Sequence, residues 1–326
     1  PDERAAGVES FVSAGPELRA AGYLDNAASW VAFASTAGQR VAGATTRATL
    51  DGIHQTETSA GSAHQTSIRL SDLVGRTAGA LAADRARRSA GFTDLEPGTY
   101  PVVLGPEAVA TILSFLAIYG FNAKAYLDGA SFVELGARPF DPAISVWQDP
   151  TDPRAIGLPF DAEGTPRTRY ALIEHGVTPS LAHDRRTAKR AGVTSTGDAL
   201  PDAAAFGAVP TTVVMDAGDM PASRLFAGIE RGLLVTQFHY VRALEPKTVT
   251  ATGLTRNGTF LIEDGEVAGA VGNLRFTQSF VGALAPGRVL GVGNDQRYAD
   301  GEFGAGMVIA PSLALASWNF TGGARG

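Results

Sequence analysis

The sequence predicts an α+β fold, with a mixed α/β N-terminal part and a β-rich, barrel-like C-terminal domain carrying surface helices. Three observations predict it. Hydrophobic residues make up 44% of the 326-residue chain and charged residues 18%, so a packed core is expected and global disorder is not. The 39 glycines fall largely between short β-type runs, where turns need positive φ. The length suits two domains, or one large domain with a satellite, and the turn Leu95-Glu96-Pro97-Gly98-Thr99-Tyr100 supplies a boundary. The expected division is residues 1–95 and 96–326.

Asp2 to Ala14 reads as a short amphipathic helix with Ala5, Val8, Phe11 and Val12 on one face. Leu18 to Arg69 reads as a β-meander, with turn signals at Ala37-Gly38-Gln39 and Asp51-Gly52. Gln55 to Gln65 is rich in Ser, Thr and Gly and is expected to be a mobile loop. Ser71 is a good N-cap for a helix to about Ser89, stopped by Gly91. Pro101 to Leu104 is a buried strand, followed by a helix from Pro106 to Tyr119 with Gly120 just past its end. Asn122 is placed to cap a further helix through Val133.

Residues 136–166 are rich in Pro, Asp and Gly and read as irregular connections around a strand at Ile144 to Trp147. A hairpin is expected between Arg169–Glu174 and Thr178–Ala182, turning at His175-Gly176, then a short helix from Arg185 to Arg190. Thr211 to Met215 reads as a strand, Pro221 to Glu230 as a helix stopped by Gly232, and Leu233 to Thr236 as a strand. Hairpin turns are expected at Arg256-Asn257-Gly258 and Glu263-Asp264-Gly265.

Composition excludes several chemistries. The net charge is -6, and Lys and Arg are dispersed. Arg85, Arg87 and Arg88 lie at the end of a predicted helix, where positive charge complements the helix dipole, so no DNA or RNA partner is expected. There is no Cys, which rules out disulfides, Cys-ligated zinc and thiol nucleophiles within this sequence. No stretch has the length of a membrane span and no signal pattern opens the chain, so a cytoplasmic protein is expected. The chain starts at Pro1 without Met, as it would if an upstream segment had been removed.

Four segments carry a resemblance. They are Glu96-Pro-Gly-Thr-Tyr-Pro-Val-Val-Leu-Gly-Pro-Glu-Ala-Val-Ala110; Arg231-Gly-Leu-Leu-Val-Thr236 with Phe238-His239-Tyr240; Thr252-Gly-Leu-Thr-Arg-Asn-Gly-Thr-Phe-Leu-Ile-Glu263; and Val271-Gly-Asn-Leu-Arg-Phe-Thr-Gln-Ser279. The ending Trp318-Asn319-Phe320-Thr321-Gly322 fits as well. Together these resemble the TldD/TldE (PmbA) peptidase family, weakly before residue 70 and strongly after 95. The resemblance implies a pair of subunits. A TldD-like partner carries His-Glu-x-x-x-His on the helix after the Val-Val-Leu-Gly strand, where two His and a distant Cys hold zinc and the Glu is general base. A TldE-like partner lacks these groups. Ungapped counting from Val102-Val103-Leu104-Gly105 puts Ser114 and Tyr119 at the two His positions and Phe115 at the Glu position. Hydroxyls are poor zinc ligands unless ionised, Phe takes no proton, and no Cys exists. No His in the chain is directly followed by Glu.

The five histidines are His54, His64, His175, His183 and His239. None are spaced for a helix-borne metal site. His54 and His64 flank the polar loop, and His175 and His183 flank part of the hairpin; either pair is a possible chelate, against the commoner solvated loop His. His239 sits in an apolar strand beside Phe238 and Tyr240, as a core or interface His or as a contact to bound peptide. Gly291-Val292-Gly293 and Gly301 to Gly306 lack the context of a nucleotide loop, and the acidic pairs Asp149/Asp152 and Glu263/Asp264 read as turn carboxylates. Arg231, Arg256 and Arg275 suit either a peptide carboxylate or interface ion pairs.

The expectation is a non-catalytic TldE/PmbA-like subunit of a heterodimeric zinc metallopeptidase that degrades or trims unfolded peptides. It has no metal site or cofactor of its own, and the zinc sits in a TldD-like partner. Val235, Thr236, His239, Arg256 and Arg275 are the candidate peptide contacts. The alternatives are a stand-alone homodimeric binding protein, or a repurposed enzyme using His239 and nearby arginines on a small substrate.

Overall fold

The computed structural model of the chain describes residues 1–323. The N-terminal part is a three-stranded antiparallel sheet, in the order β1 (Arg19–Ala34), β2 (Arg40–Gln55), β3 (Ala60–Ser67), with α1 (Asp2–Val12) and α2 (Gly75–Arg88) on one face. Strand alternation decides that face. Leu50 and Ala63 turn toward the helices and form a small core with Phe11, Ala78 and Ala82. Alanines on the buried side of α2 allow close approach, and Gly61 makes it possible: a Cβ there would strike the Ala82 carbonyl oxygen and the Ala86 nitrogen.

Three expectations fail here. Asp51-Gly52 is no turn, because β2 runs through it and pairs there with His64 and Ala63 of β3. Gln55 to Gln65 is not a loop. Only Thr56 to Ser59 forms a turn, closed by the Thr56 N–H donating to the Ser59 carbonyl at 2.9 Å, and Ala60 onward is strand. Of the segment's Ser and Thr residues, Thr56, Thr58 and Ser59 make this turn, and Ser62 pairs with Ile53 of β2. The helix begins at Gly75 instead of Ser71, because Leu70–Asp72 forms a single 3-10 turn.

The remainder is built on a closed five-stranded barrel. Its strands are β4 (Gly98–Leu104), β8 (Arg231–Glu245), β9 (Thr250–Glu263), β11 (Leu274–Ser279) and β15 (Leu313–Gly323). The ring runs β9-β11-β15-β4-β8 and back to β9, with β4–β8 parallel and the other pairs antiparallel. Full closure leaves those paired edges unavailable to other chains. The interior is aromatic. Trp318 stacks on Phe238 at 5.1 Å between centroids and meets Phe276 edge-on at 5.3 Å, with Phe280 of α7 (Phe280–Ala283) at 5.8 Å. The short strands β10 (Glu266–Ala270) and β12 (Val289–Val292) extend the barrel from β9 and β15.

A second sheet has the order β13 (Arg297–Gly301), β14 (Gly304–Ala310), β7 (Val213–Met215), β5 (Val146–Gln148), β6 (Tyr170–Ile173). Helix α3 (Pro106–Phe115) lies between this sheet and barrel strand β8. Every one of its residues is buried, so it is a central helix and not one of the surface set. It passes into a single π-helical turn, Leu116–Gly120, where an uninterrupted helix to Tyr119 is expected. The Asn122 side chain does cap a helix, accepting from the Lys124 and Ala125 N–H groups, but α4 (Ala123–Leu127) stops well before Val133, with Gly129 at φ +74° just past its end.

The other short helices are α5 (Arg185–Ala191) and α6 (Ala203–Phe206). The expected hairpin at His175-Gly176 reduces to one bridge, Glu174 to Val177, and Thr178–Ala182 runs elsewhere. Pro221 to Glu230 holds only a 3-10 turn at Ala222–Arg224. Its Leu225 and Ile229 pack on Val103, Ile262 and Ala314 as a small core of their own. Asp264-Gly265 is the turn between β9 and β10, but Asn257-Gly258 is not a turn. β9 runs straight through it as a bulge: Val235 pairs Thr259 and Gln237 pairs Arg256, so two residues of β9 face one of β8. Among the described residues no helix is long and apolar enough to cross a membrane.

Candidate functional site

Helix α3 is placed by short-range rules. Gly105 precedes it in extended conformation, Pro106 occupies its first turn, and Glu107 puts negative charge at the positive end of the dipole. At its other end stand Ser114 and Phe115, 2% and 1% exposed, with Tyr119 half-buried on the π turn. The Phe115 ring lies 5.1 Å from Phe303, 5.6 Å from Phe280 and 5.7 Å from Tyr119. Aromatic side chains fill this end of the helix. A hydroxyl, a phenyl and a phenol offer zinc no anionic or imidazole donor, and no thiolate exists anywhere in the chain. The residues at these positions do not fit zinc.

The five candidate peptide contacts divide. Val235 is fully buried, with its backbone paired on both sides to Leu104 and Thr259. Thr236 is 4% exposed, and its hydroxyl donates to the Gly258 carbonyl at 3.0 Å. Both belong to the barrel wall. His239 and Arg275 both pair with Leu254 of β9, and Arg256 lies two residues further along that strand. These three therefore share the outer face of the barrel, while Phe238, Gly253 and Phe276 turn inward. Gln237 stands on the same face and accepts a hydrogen bond from Ser62 of β3 at 2.6 Å. Partial burial, with the charges of Arg256 and Arg242, pushes the His239 imidazole down from its ordinary value, opposed by Glu302. The face thus holds two exposed guanidiniums and an imidazole biased toward neutrality.

A second polar group lies at the start of α3. Glu107 receives two hydrogen bonds from Arg297 of β13, at 2.5 and 3.0 Å. Burial raises the Glu107 carboxyl, but the Arg297 charge and hydrogen bonds prevail and hold it at about 2. Facing this pair are Asp51 and His64, directly opposite each other across β2 and β3, with Asp300 of β13. Burial, then the Asp51 charge, lifts the Asp300 carboxyl to about 7, while burial lowers the His64 imidazole to about 4.

The histidine pairs do not form. His54 turns to the helix face of the sheet and stacks on Phe11 at 5.0 Å. Its Nε2 lies 3.1 Å from the Phe11 carbonyl oxygen, and its Nδ1 is buried against the helices without a partner, in no cluster of ligand-type side chains among the described residues. His64 turns to the opposite face. His175 is exposed at its turn and His183 is buried beside Asp184. The cluster of His64 with Asp51 and Asp300 escapes sequence reasoning, since Asp300 lies far away in the chain. The sequence puts Asp51 at a turn and His64 in a loop, and only the pairing of β2 with β3 sets them opposite each other. The Arg run of α2 is engaged within the chain: Arg87 on Glu17, Arg85 on the Ser62 carbonyl, Arg88 over the Phe260 ring.

Comparison with known proteins agrees with this architecture. The family model described as PmbA/TldA metallopeptidase C-terminal domain matches residues 97–322. A metalloprotease of Methanothermobacter thermautotrophicus is 27% identical over 217 residues, which is 64% of this chain and 45% of that protein. A metalloprotease TldD homologue of Buchnera aphidicola is 25% identical over 211 residues, 63% of this chain and 42% of that protein. The match thus spans less than half the length of these relatives. The solved structure of TldE from Thermococcus kodakarensis superposes with a TM-score of 0.85 at 19% identity, covering 98% of this chain and 73% of that one, a likeness of fold. With two-thirds of its length matched by the family model, the chain belongs to the PmbA/TldD metallopeptidase family.

Proposed function

We propose that this chain is the non-catalytic, TldE/PmbA-like subunit of a heterodimeric, cytoplasmic zinc metallopeptidase that degrades or trims unfolded peptides. The observation that carries the reading is the end of α3. By ungapped counting Ser114, Phe115 and Tyr119 fall there at the positions of the family's His-Glu-x-x-x-His motif, and the rings of Tyr119, Phe280 and Phe303 surround Phe115. With neither ligand nor base at these positions, peptide cleavage falls to a TldD-like partner that supplies the zinc. This subunit lines the shared peptide cavity with the outer barrel face of His239, Arg256 and Arg275. Guanidiniums there suit peptide carbonyl and carboxylate oxygens.

The test is cleavage of an unfolded peptide by the chain alone, by a TldD-like partner alone, and by the two together. Zinc-dependent cleavage is expected only where the partner is present. Cleavage by the isolated chain overturns the reading. Arg256→Ala and Arg275→Ala are expected to raise KM of the pair about tenfold each, the loss of one charge-assisted hydrogen bond; unchanged KM in both removes this face from the peptide path.

A further inference from the structure

Asp51, His64 and Asp300 come from three strands of two different sheets, yet each brings one ligand-type atom within 4.8 Å of the others. The His64 side chain is 5% exposed, and its Nδ1 is buried with no hydrogen-bond partner. That nitrogen lies 3.8 Å from Asp300 Oδ2, too far for a hydrogen bond. Asp300 Oδ1 is likewise buried and unpartnered. A buried ring nitrogen and a buried carboxylate oxygen left unpaired side by side are costly, and each calls for an occupant.

The neighbouring cation does not serve. Arg297 is engaged by both oxygens of Glu107. The two aspartates therefore share this cluster with the imidazole and have no compensating charge of their own. The other ring nitrogen, Nε2, sits 2.8 Å from the Thr66 hydroxyl. When that hydroxyl accepts from Nε2–H, the Nδ1 lone pair is directed at the aspartates, the arrangement by which a second hydrogen bond orients a metal-binding histidine.

We propose that Asp51, His64 and Asp300 bind a divalent transition-metal cation of the zinc class. One imidazole and two carboxylates are borderline-to-hard donors that suit Zn2+, Mn2+ or Co2+ better than Mg2+. Ligand bonds of about 2.0–2.2 Å require the side chains to close by roughly 1 Å. Asp300 is 27% exposed, so water completes the shell. The ion ties β2 and β3 of the N-terminal sheet to β13 of the second sheet, and none of its ligands is Ser114, Phe115 or Tyr119.

The experiment is titration of the EDTA-treated full chain with ZnSO4 by calorimetry, with CoCl2 followed by visible absorption. One equivalent of Zn2+ is expected to bind. Asp300→Asn and His64→Gln are each expected to weaken it at least 100-fold, Thr66→Val about tenfold, and His175→Ala not at all. Circular dichroism checks that each variant is folded. Absence of binding to the unsubstituted chain overturns the proposal, as does Zn2+ affinity unchanged in folded Asp300→Asn. The Co2+ spectrum of the unsubstituted chain decides the matter should the variants fail to fold: visible bands are expected, and a spectrum equal to free Co2+ counts against the site. Binding without peptide cleavage leaves the subunit's proposed role untouched.

Discussion

At the scale of single residues, Glu107 and Phe115 show how opposite chemistries are held at the two ends of one helix. Glu107 is buried and keeps its charge only because Arg297 grips it. Its carboxyl sits at about 2, below the ordinary 4.5, so its contribution to stability is full above pH 4.5 and is lost as pH falls from 4.5 toward 2. Urea denaturation of the chain between pH 6 and pH 3 is expected to show this loss, and Glu107→Gln to abolish that part of the slope. The same variant leaves a guanidinium without its partner and is expected to cost about 2–4 kcal/mol at neutral pH. This is the lower part of the buried-pair range, because the Arg297 side chain is 36% exposed. Phe115→Ala opens a cavity among Tyr119, Phe280 and Phe303 and is expected to cost about 3–5 kcal/mol, read from the urea midpoint.

At the scale of elements, small residues decide how closely α2 approaches its sheet. Gly61 faces the backbone of α2 at Ala82 and Ala86, and the same helix is held by Arg85 donating to the Ser62 carbonyl at 2.7 Å. Gly61→Ala puts a methyl into backbone that cannot yield without moving the helix. A loss of about 1–3 kcal/mol is expected, with a matching drop in Tm. The bulge at Asn257-Gly258 illustrates a different balance. A dipeptide that tolerates positive φ is the strongest local hairpin signal, and both residues do have positive φ, 55° and 138°. Yet β8 pairs with β9 on both sides of the dipeptide and carries the strand onward, so the backbone freedom becomes a kink in the barrel wall. The Thr236 hydroxyl then caps the kink at the Gly258 carbonyl. Local chemistry specified the dihedral angles there, and neighbouring strands decided their use.

At the scale of the whole molecule, the barrel and β1 differ in protection. Each barrel strand has a partner on both sides, around a core of Trp318, Phe238, Phe276 and Phe280. β1 pairs only with β2, and most of its residues are exposed, Trp30 at 72%. Hydrogen exchange followed by mass spectrometry is expected to find the amides of β4, β8 and β15 slowest and those of β1 from Ala27 to Ala34 among the first to exchange. Equal protection in the two regions contradicts this account of the core.

The β-rich, barrel-like second part, the strand and helix flanking Gly105 and the cap at Asn122 are legible in the sequence alone, as is the lack of any Cys or His-Glu pair. These rest on local periodicity, capping chemistry and composition. Only the tertiary structure decided that α3 is buried on every side, that Val235 and Thr236 serve the barrel wall while His239, Arg256 and Arg275 share its outer face, and that His64 meets Asp51 and Asp300. The physical reason is separation along the chain. Which side of a strand is covered, and by what, depends on elements up to 249 residues apart in sequence, as β2 and β13 are at Asp51 and Asp300, and no local pattern encodes that meeting.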